Sequence, residues 1–169
     1  MVEQTQDERD GQRDGMSWED GVSYALVLAG IYLLVGVLFF YAGKEKLFDG
    51  GGAPPPIAKQ FSGTFLDTFP GIDATWTILG ILEFAVFVLL VVSLATLEFL
   101  PGKSKPFLFV GLGLAVFTFA ILAMGQNITG QNSGVASLYV YAAGTGVLIF
   151  LLRLMPPYGS GRWISSRRT

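Results

Sequence analysis

The chain has 169 residues, of which 51% are hydrophobic and 14% are charged, and its mean hydropathy is +0.54. This composition excludes an ordinary soluble globular protein, in which about 25% of residues are charged, and it predicts that lipid surrounds most of the chain. Cysteine and histidine are absent, which excludes disulfides, thiolate chemistry, iron–sulfur clusters and the usual zinc and haem ligands. We therefore expect no metal and no cofactor. No nucleic-acid partner is expected either.

The acidic residues are concentrated at the N-terminal end. Seven of the 13 acids precede Gly21, in a segment that has too few apolar residues to fold alone. Residues 1–20 are therefore predicted to form a disordered acidic tail. A cleavable signal peptide does not fit, because the first apolar run begins after this acidic head and is too long for the apolar region of such a peptide.

Four apolar runs follow the tail. They cover residues 22–42, 74–97, 107–124 and 135–155. Crossing the hydrocarbon core takes about 20 helical residues at roughly 1.5 Å each, so each run can span a bilayer. The predicted fold is an all-α integral membrane protein, a four-transmembrane-helix bundle that occupies residues 21–156.

The three connections between the runs differ in length. Residues 101–106 form a tight Pro- and Gly-containing turn, so the second and third spans are predicted to be antiparallel neighbours. Residues 125–134 form a short uncharged link. Only the first connection, residues 43–73, is long. Its proline run can open a short amphipathic helix in the interface plane, with apolar residues every fourth position at Ile57, Phe61, Phe65 and Phe69. The alternative is a plain loop folded over the bundle, because a glycine interrupts the pattern.

The distribution of lysine and arginine predicts the orientation of the spans. Eight of the 11 lie on the side of the two termini, and only Lys44, Lys46 and Lys59 lie on the other side. Because cytoplasmic loops are enriched in basic residues, we expect both termini in the cytoplasm and the protein in the cell inner (plasma) membrane. Residues 157–169 form a basic tail whose Arg162, Arg167 and Arg168 can contact anionic lipid headgroups or a partner.

Glu83 is the one ionisable residue well inside a span. A carboxylate there costs at least ~2.5 kcal/mol unless it is protonated, paired or hydrated. We therefore predict that Glu83 faces the bundle interior and binds Lys46, at the end of the first span, or hydroxyl and amide groups. Such a pair can lock two helices together or can take part in chemistry; the lock is favoured, because no second titratable group lies in the spans. Glu98 is expected to pair with Arg153 or to contact water.

Two further sets of residues are candidates for contacts. Gln126 and Asn127 belong to a polar cluster on the link between the third and fourth spans, which can bind a lipid headgroup or a quinone carbonyl. The alternative is that these side chains satisfy backbone groups at the helix ends. Small residues four positions apart are predicted to mark close helix packing: Gly111 with Ala115, and Ala142 with Gly146.

Two short motifs resemble those of the DoxX-like membrane proteins. Ala42, Gly43, Lys46 and Leu47 resemble the A-G-x-x-K-L ending of that family's first helix, and Gly80 with Glu83 resembles its G-x-x-E motif in the second helix. The resemblance covers about residues 22–155 and implies a small four-helix bundle. The family is similar to the small subunit of a thiosulfate:quinone oxidoreductase. A weaker resemblance, which no motif carries, is to the small accessory membrane subunit of mycobacterial Mce lipid importers.

These features favour one function and leave one alternative. The leading hypothesis is a noncatalytic accessory or stabilising subunit of a larger membrane complex, with a lipid importer as the specific complex. Its partners would be membrane lipids and other integral membrane subunits. The alternative, which the DoxX-like resemblance implies, is a membrane subunit of a quinone-linked oxidoreductase in which Glu83 or Lys46 hydrogen-bonds a quinone.

Overall fold

The computed structural model describes residues 18–50, 52–100 and 102–154. Within these ranges the chain is helical and contains no strand. The six helices are α1 (Trp18–Phe48), α2 (Pro55–Phe61), α3 (Phe65–Thr68), α4 (Ile72–Ala95), α5 (Pro106–Ile128) and α6 (Asn132–Leu154). Four of them, α1, α4, α5 and α6, are long and apolar enough to cross a membrane. The predicted four-helix membrane architecture is therefore confirmed.

The ends of the long helices follow from local backbone chemistry. Pro106 occupies the first turn of α5, where its fixed φ suits a helix and its missing N–H leaves nothing unsatisfied. The same helix ends in a Schellman motif, in which Gln131 N–H donates to the Gln126 carbonyl and Gly130 has φ +70°. An equivalent motif ends α4, but there Leu97 adopts φ 58°, a conformation that costs a non-glycine residue about 1 kcal/mol or more.

The four long helices pack as successive antiparallel neighbours. α1 packs along α4, α4 along α5, and α5 along α6. The core is a ladder of apolar side chains, many of them at spacings of three or four: Leu28, Ile31, Val35 and Phe39 of α1, Val86 and Leu90 of α4, and Leu108, Leu112 and Phe119 of α5. Because lipid is as apolar as these side chains, close packing rather than removal from water stabilises the contact.

The bundle has two ends, which we name by their contents. The proximal end holds the start of α1, the end of α6 and the α4–α5 connection. The distal end holds α2, α3 and the turn between α5 and α6. Residues 1–17 and the predicted basic tail lie outside the described residues. The contacts predicted for Arg162, Arg167 and Arg168 therefore lie outside them too.

A short helix lies between the first two spans as predicted, but two details of the distal end differ from the sequence predictions. The single amphipathic helix is two short helices, because the chain breaks at Gly63, which has φ +78°. Phe65 and Phe69 consequently leave the apolar face and are 58% and 79% exposed. In addition, Gln126 and Asn127 are not in a loop but in the last turn of α5. The helix continues through them because the Schellman motif that ends it is set by Gly130, two residues beyond Ile128.

Candidate functional site

Lys46 and Glu83 meet at the distal end, between α1 and α4. Lys46 Nζ lies 2.8 Å from Glu83 Oε2 and donates a hydrogen bond to Oε1 at 3.1 Å. Both side chains are buried, with 9% and 3% of their areas exposed. The ammonium also lies 3.4 Å from the Ala42 carbonyl oxygen and 4.7 Å from the centre of the Trp76 ring. The structure thus brings together the two residues proposed from sequence.

Two glycines allow the close helix contact that surrounds this pair. A Cβ atom on Gly43 would lie 2.7 Å from the Phe84 backbone nitrogen, and one on Gly80 would lie 2.7 Å from Lys46 Cβ. Each glycine precedes its charged residue by three positions, so both lie on the same helix face as that residue. α1 and α4 therefore approach most closely where the ion pair is buried. In the sequence these glycines are recognisable only as part of a family motif and not as packing residues.

The ammonium and the carboxylate are both already engaged by neighbouring groups, and this limits the chemistry that the pair can perform. The lysine neutralises the carboxylate, and Trp76 covers the ammonium through a cation–π contact. Within residues 18–50, 52–100 and 102–154 there is no group of three side chains that could hold a metal ion. A buried ion pair of this kind fixes the position of one helix against another.

Comparison with protein-family models, curated proteins and solved structures finds no match. The DoxX-like and Mce-subunit resemblances therefore stay predictions that rest on the short motifs and the hydropathy pattern described above. In the structure, the two DoxX-like motifs, on α1 and α4, pack directly against each other through their glycines.

A pocket of about 160 Å³ lies beside the pair at the distal end. α2 covers one side of it, and the distal halves of α4 and α5 form the others. Trp76 lines the pocket and also covers Lys46, but Lys46 and Glu83 are not themselves part of the lining. The cover is held by a 2.8 Å hydrogen bond from Gln60 Nε2 to Thr129 Oγ1.

The two polar residues proposed for headgroup contacts are separated in the structure. Gln126 lines the distal pocket, whereas Asn127, one position on, lines a separate pocket of about 310 Å³ between α5 and α6. Successive helical residues point about 100° apart, which explains the separation. The two residues are neighbours in sequence and would lie together only in the predicted loop.

The two pairs of small residues predicted to mark close packing have different surroundings in the structure. A Cβ atom on Gly111 would lie 3.3 Å from Leu89 Cβ, and Ala115 is fully buried, so this pair lies at the α4–α5 contact. Ala142 packs against the core. A Cβ atom on Gly146 would meet nothing within 4 Å, so Gly146 makes no close packing contact with the described part of the chain.

A second polar cluster, at the proximal end, surrounds Glu98. Its carboxylate accepts hydrogen bonds from the backbone N–H groups of Phe107 and Leu108, at 3.1 and 2.9 Å, and from Ser93 Oγ at 2.6 Å. Because Ser93 donates to Glu98, its oxygen accepts from the Tyr32 hydroxyl, 2.7 Å away. Glu98 therefore caps the N-terminus of α5 and links it to α1 and α4.

Lys105 completes this cluster from the opposite direction. Its buried ammonium donates to the backbone carbonyls of Glu98 and Leu100, the latter at 3.1 Å. Burial lowers the pKa of the Lys105 ammonium, and the nearby Glu98 charge opposes that shift. Two charged side chains thus close the α4–α5 connection. Lys105 binds backbone carbonyls that follow α4, and Glu98 binds backbone N–H groups at the start of α5.

The expectation that Glu98 pairs with Arg153 or contacts water is therefore wrong. Glu98 is only 3% exposed, and the Arg153 guanidinium instead lies 5.5 Å from the centre of the Phe109 ring. A signal for the cap was present in the sequence. Pro106 opens α5 without a capping side chain at Lys105, so the free N–H groups that follow need an acceptor from elsewhere, and Glu98 is the acid closest in sequence.

Glu98→Gln is expected to lower the free energy of unfolding by about 2 kcal/mol, because the amide nitrogen would face a backbone donor and the charged hydrogen bonds would be lost. Unfolding by SDS in mixed micelles measures this change. Glu45→Gln is the matched control, since Glu45 is exposed and should change stability by less than about 0.5 kcal/mol. Equal effects of the two substitutions would contradict the capping role.

Proposed function

We propose that this chain is a noncatalytic accessory subunit of a larger membrane complex and that α6 forms its docking surface. The observation that carries the proposal is the exposure of α6. Only 11% of the residues in its most apolar stretch are buried, against 28–39% in the other three long helices. α6 packs along α5, which leaves most of its length available to another helix.

The exposed side of α6 has the chemistry of a helix–helix contact. Small or β-branched residues recur there at spacings of three and four, and all are exposed: Ala136, Val140, Ala143, Gly144 and Val147. A Cβ atom on Gly144 would meet nothing within 4 Å, so none of the residues that the structure describes uses its small size. Stripes of this kind let two backbones approach closely in lipid, and we name this set the α6 stripe.

The site at the distal end supports the noncatalytic part of the proposal. Lys46 and Glu83 are buried and neutralise each other, so neither is left for proton transfer. The alternative, a membrane subunit of a quinone-linked oxidoreductase, relied on one of these two residues binding a quinone. Since neither lines the distal pocket, the geometry favours the accessory role. The weaker family resemblance favours a lipid importer as the complex.

The placement in the cell is part of the same proposal. Eight of the 11 basic residues flank the proximal end or the termini beyond it, which supports a cytoplasmic location for both termini in the inner (plasma) membrane.

The proposal is tested by co-purification of the tagged full chain from its native membranes. Gly144→Leu should reduce recovery of a stoichiometric membrane partner by about tenfold or more, the effect of losing roughly 1.4 kcal/mol of binding. Gly30→Leu is the matched control, because Gly30 is also exposed within a long helix and its Cβ would meet nothing within 4 Å.

Three outcomes would overturn the proposal. The first is a wild-type chain that purifies without any stoichiometric partner. The second is equal recovery of the partner with both variants. The third is cross-linking of Gly144 only to a second copy of the same chain, which would make the α6 stripe a self-association surface instead.

A further inference from the structure

The distal pocket is almost entirely apolar. Its walls include Ile57 and Phe61 of α2, Trp76 and Leu79 of α4, and Leu122 and Ile128 of α5. Its volume of about 160 Å³ is close to that of an engineered apolar cavity that stays free of water and admits a single small apolar group. The pocket is therefore suited to a segment of hydrocarbon and too small for a whole lipid.

The position of the pocket selects its ligands. It is built on the distal halves of two helices that are long and apolar enough to span a membrane. Molecules that reach it from the side are those dissolved in the bilayer, and the most abundant of these carry acyl chains. Water has little to bind there, because nearly all the lining atoms are apolar.

One side chain of the lining is equipped to orient such a ligand. Gln126 is half-buried and makes no side-chain hydrogen bond to any residue in the described part of the chain. Its amide can therefore donate to an uncharged acceptor, such as the ester carbonyl that joins an acyl chain to its headgroup. Gln60, the other amide of the lining, is already used by Thr129.

The charges at the distal end disfavour an anionic headgroup. The described residues there include three lysines and five carboxylates: Lys44, Lys46, Lys59, Glu45, Asp49, Asp67, Asp73 and Glu83. Two of the lysines are paired, with Asp49 and Glu83. What remains is one lysine against three carboxylates, a negative rim that repels a negative headgroup.

We propose that the distal pocket binds one acyl chain of a membrane lipid whose headgroup carries no net negative charge, with Gln126 donating to the ester carbonyl. The site is independent of the α6 stripe, on another face of the bundle, so it can be present whether or not the chain is an accessory subunit. The ligand enters between the lipid-facing sides of α4 and α5, and α2 covers it.

The test uses the full chain in phosphatidylcholine vesicles that contain phosphatidylcholine with a photoactivatable acyl chain. Cross-links should map to pocket-lining residues of α2, α4 and α5, such as Phe61, Trp76 and Leu122. Leu79→Trp fills the pocket and should reduce these cross-links by about tenfold. Ile78→Trp is the matched control, because Ile78 is 51% exposed on the same helix and its replacement should leave them unchanged.

Two further arms identify the ligand. Gln126→Leu should reduce labelling by about fivefold, the effect of losing one hydrogen bond of roughly 1 kcal/mol, and it keeps the proposal testable if Leu79→Trp does not fold. Photoactivatable phosphatidylglycerol should label the pocket more weakly than phosphatidylcholine. Equal labelling in Leu79→Trp and Ile78→Trp, stronger labelling by phosphatidylglycerol, or displacement of the lipid by an equimolar quinone would each overturn the proposal.

Discussion

Gly43→Ala is expected to destabilise the bundle by about 2 kcal/mol, although alanine is the better helix former by nearly 1 kcal/mol. The added methyl carbon would lie 2.7 Å from the Phe84 backbone nitrogen and 3.0 Å from its Cα. Backbone atoms inside a spanning helix cannot turn aside as a side chain can, so α1 and α4 must separate. Overpacking of this kind typically costs 1–3 kcal/mol.

Unfolding by SDS in mixed micelles measures the effect, and other glycines of the chain supply the controls. A Cβ atom on Gly113 would meet nothing within 4 Å, so Gly113→Ala is expected to be neutral or slightly stabilising. Gly80→Ala should destabilise the bundle to a similar degree as Gly43→Ala, because its added carbon would lie 2.7 Å from Lys46 Cβ, an atom that the backbone of α1 holds in place. If Gly43→Ala and Gly113→Ala changed stability equally, the close approach of α1 and α4 would be contradicted.

The architecture was predictable from sequence because it depends on the length and apolarity of each run. Four apolar runs of spanning length leave no soluble alternative, and the structure has four helices at those places. The boundaries were less predictable, since a helix in lipid continues into polar residues until its backbone is capped. α5 accordingly extends to Ile128, four residues beyond the end of the apolar run.

The ion pair was proposed for the same physical reason. A carboxylate inside a span needs a partner, and Lys46 was the nearest cation at the same depth. The glycines beside it were not assigned to packing, because the face of a spanning helix that meets another helix cannot be read from uniformly apolar residues. The useful signal was the spacing: each of Gly43 and Gly80 lies three residues before the charged member of the pair.

The Glu98 cap and the distal pocket could not be predicted from the four apolar runs alone. The cap depends on the turn at Leu97, whose φ of 58° is unusual for leucine and returns Glu98 toward the start of α5. The pocket depends on how α2 folds back over α4 and α5, which the broken amphipathic pattern did not determine.

Lys46→Met is expected to lower the free energy of unfolding by about 3–5 kcal/mol, because it leaves the Glu83 carboxylate buried without its cation. Glu83→Leu should cost a similar amount by leaving the Lys46 ammonium buried. The double variant should recover most of the loss, since two apolar side chains of similar size often replace a buried ion pair at little cost. A double-mutant cycle on SDS unfolding measures the coupling.

The exposed pair at the same end provides the matched comparison. Lys44 and Asp49 lie 2.7 Å apart, but their side chains are 43% and 48% exposed, so Lys44→Met should cost less than about 1 kcal/mol. The lysines of both pairs lie on α1, but the pairs differ in burial, and burial is what makes a lost partner costly. Additive losses in the Lys46–Glu83 cycle would mean that each residue contributes through other contacts, and the pair would then not be the lock that holds α1 against α4.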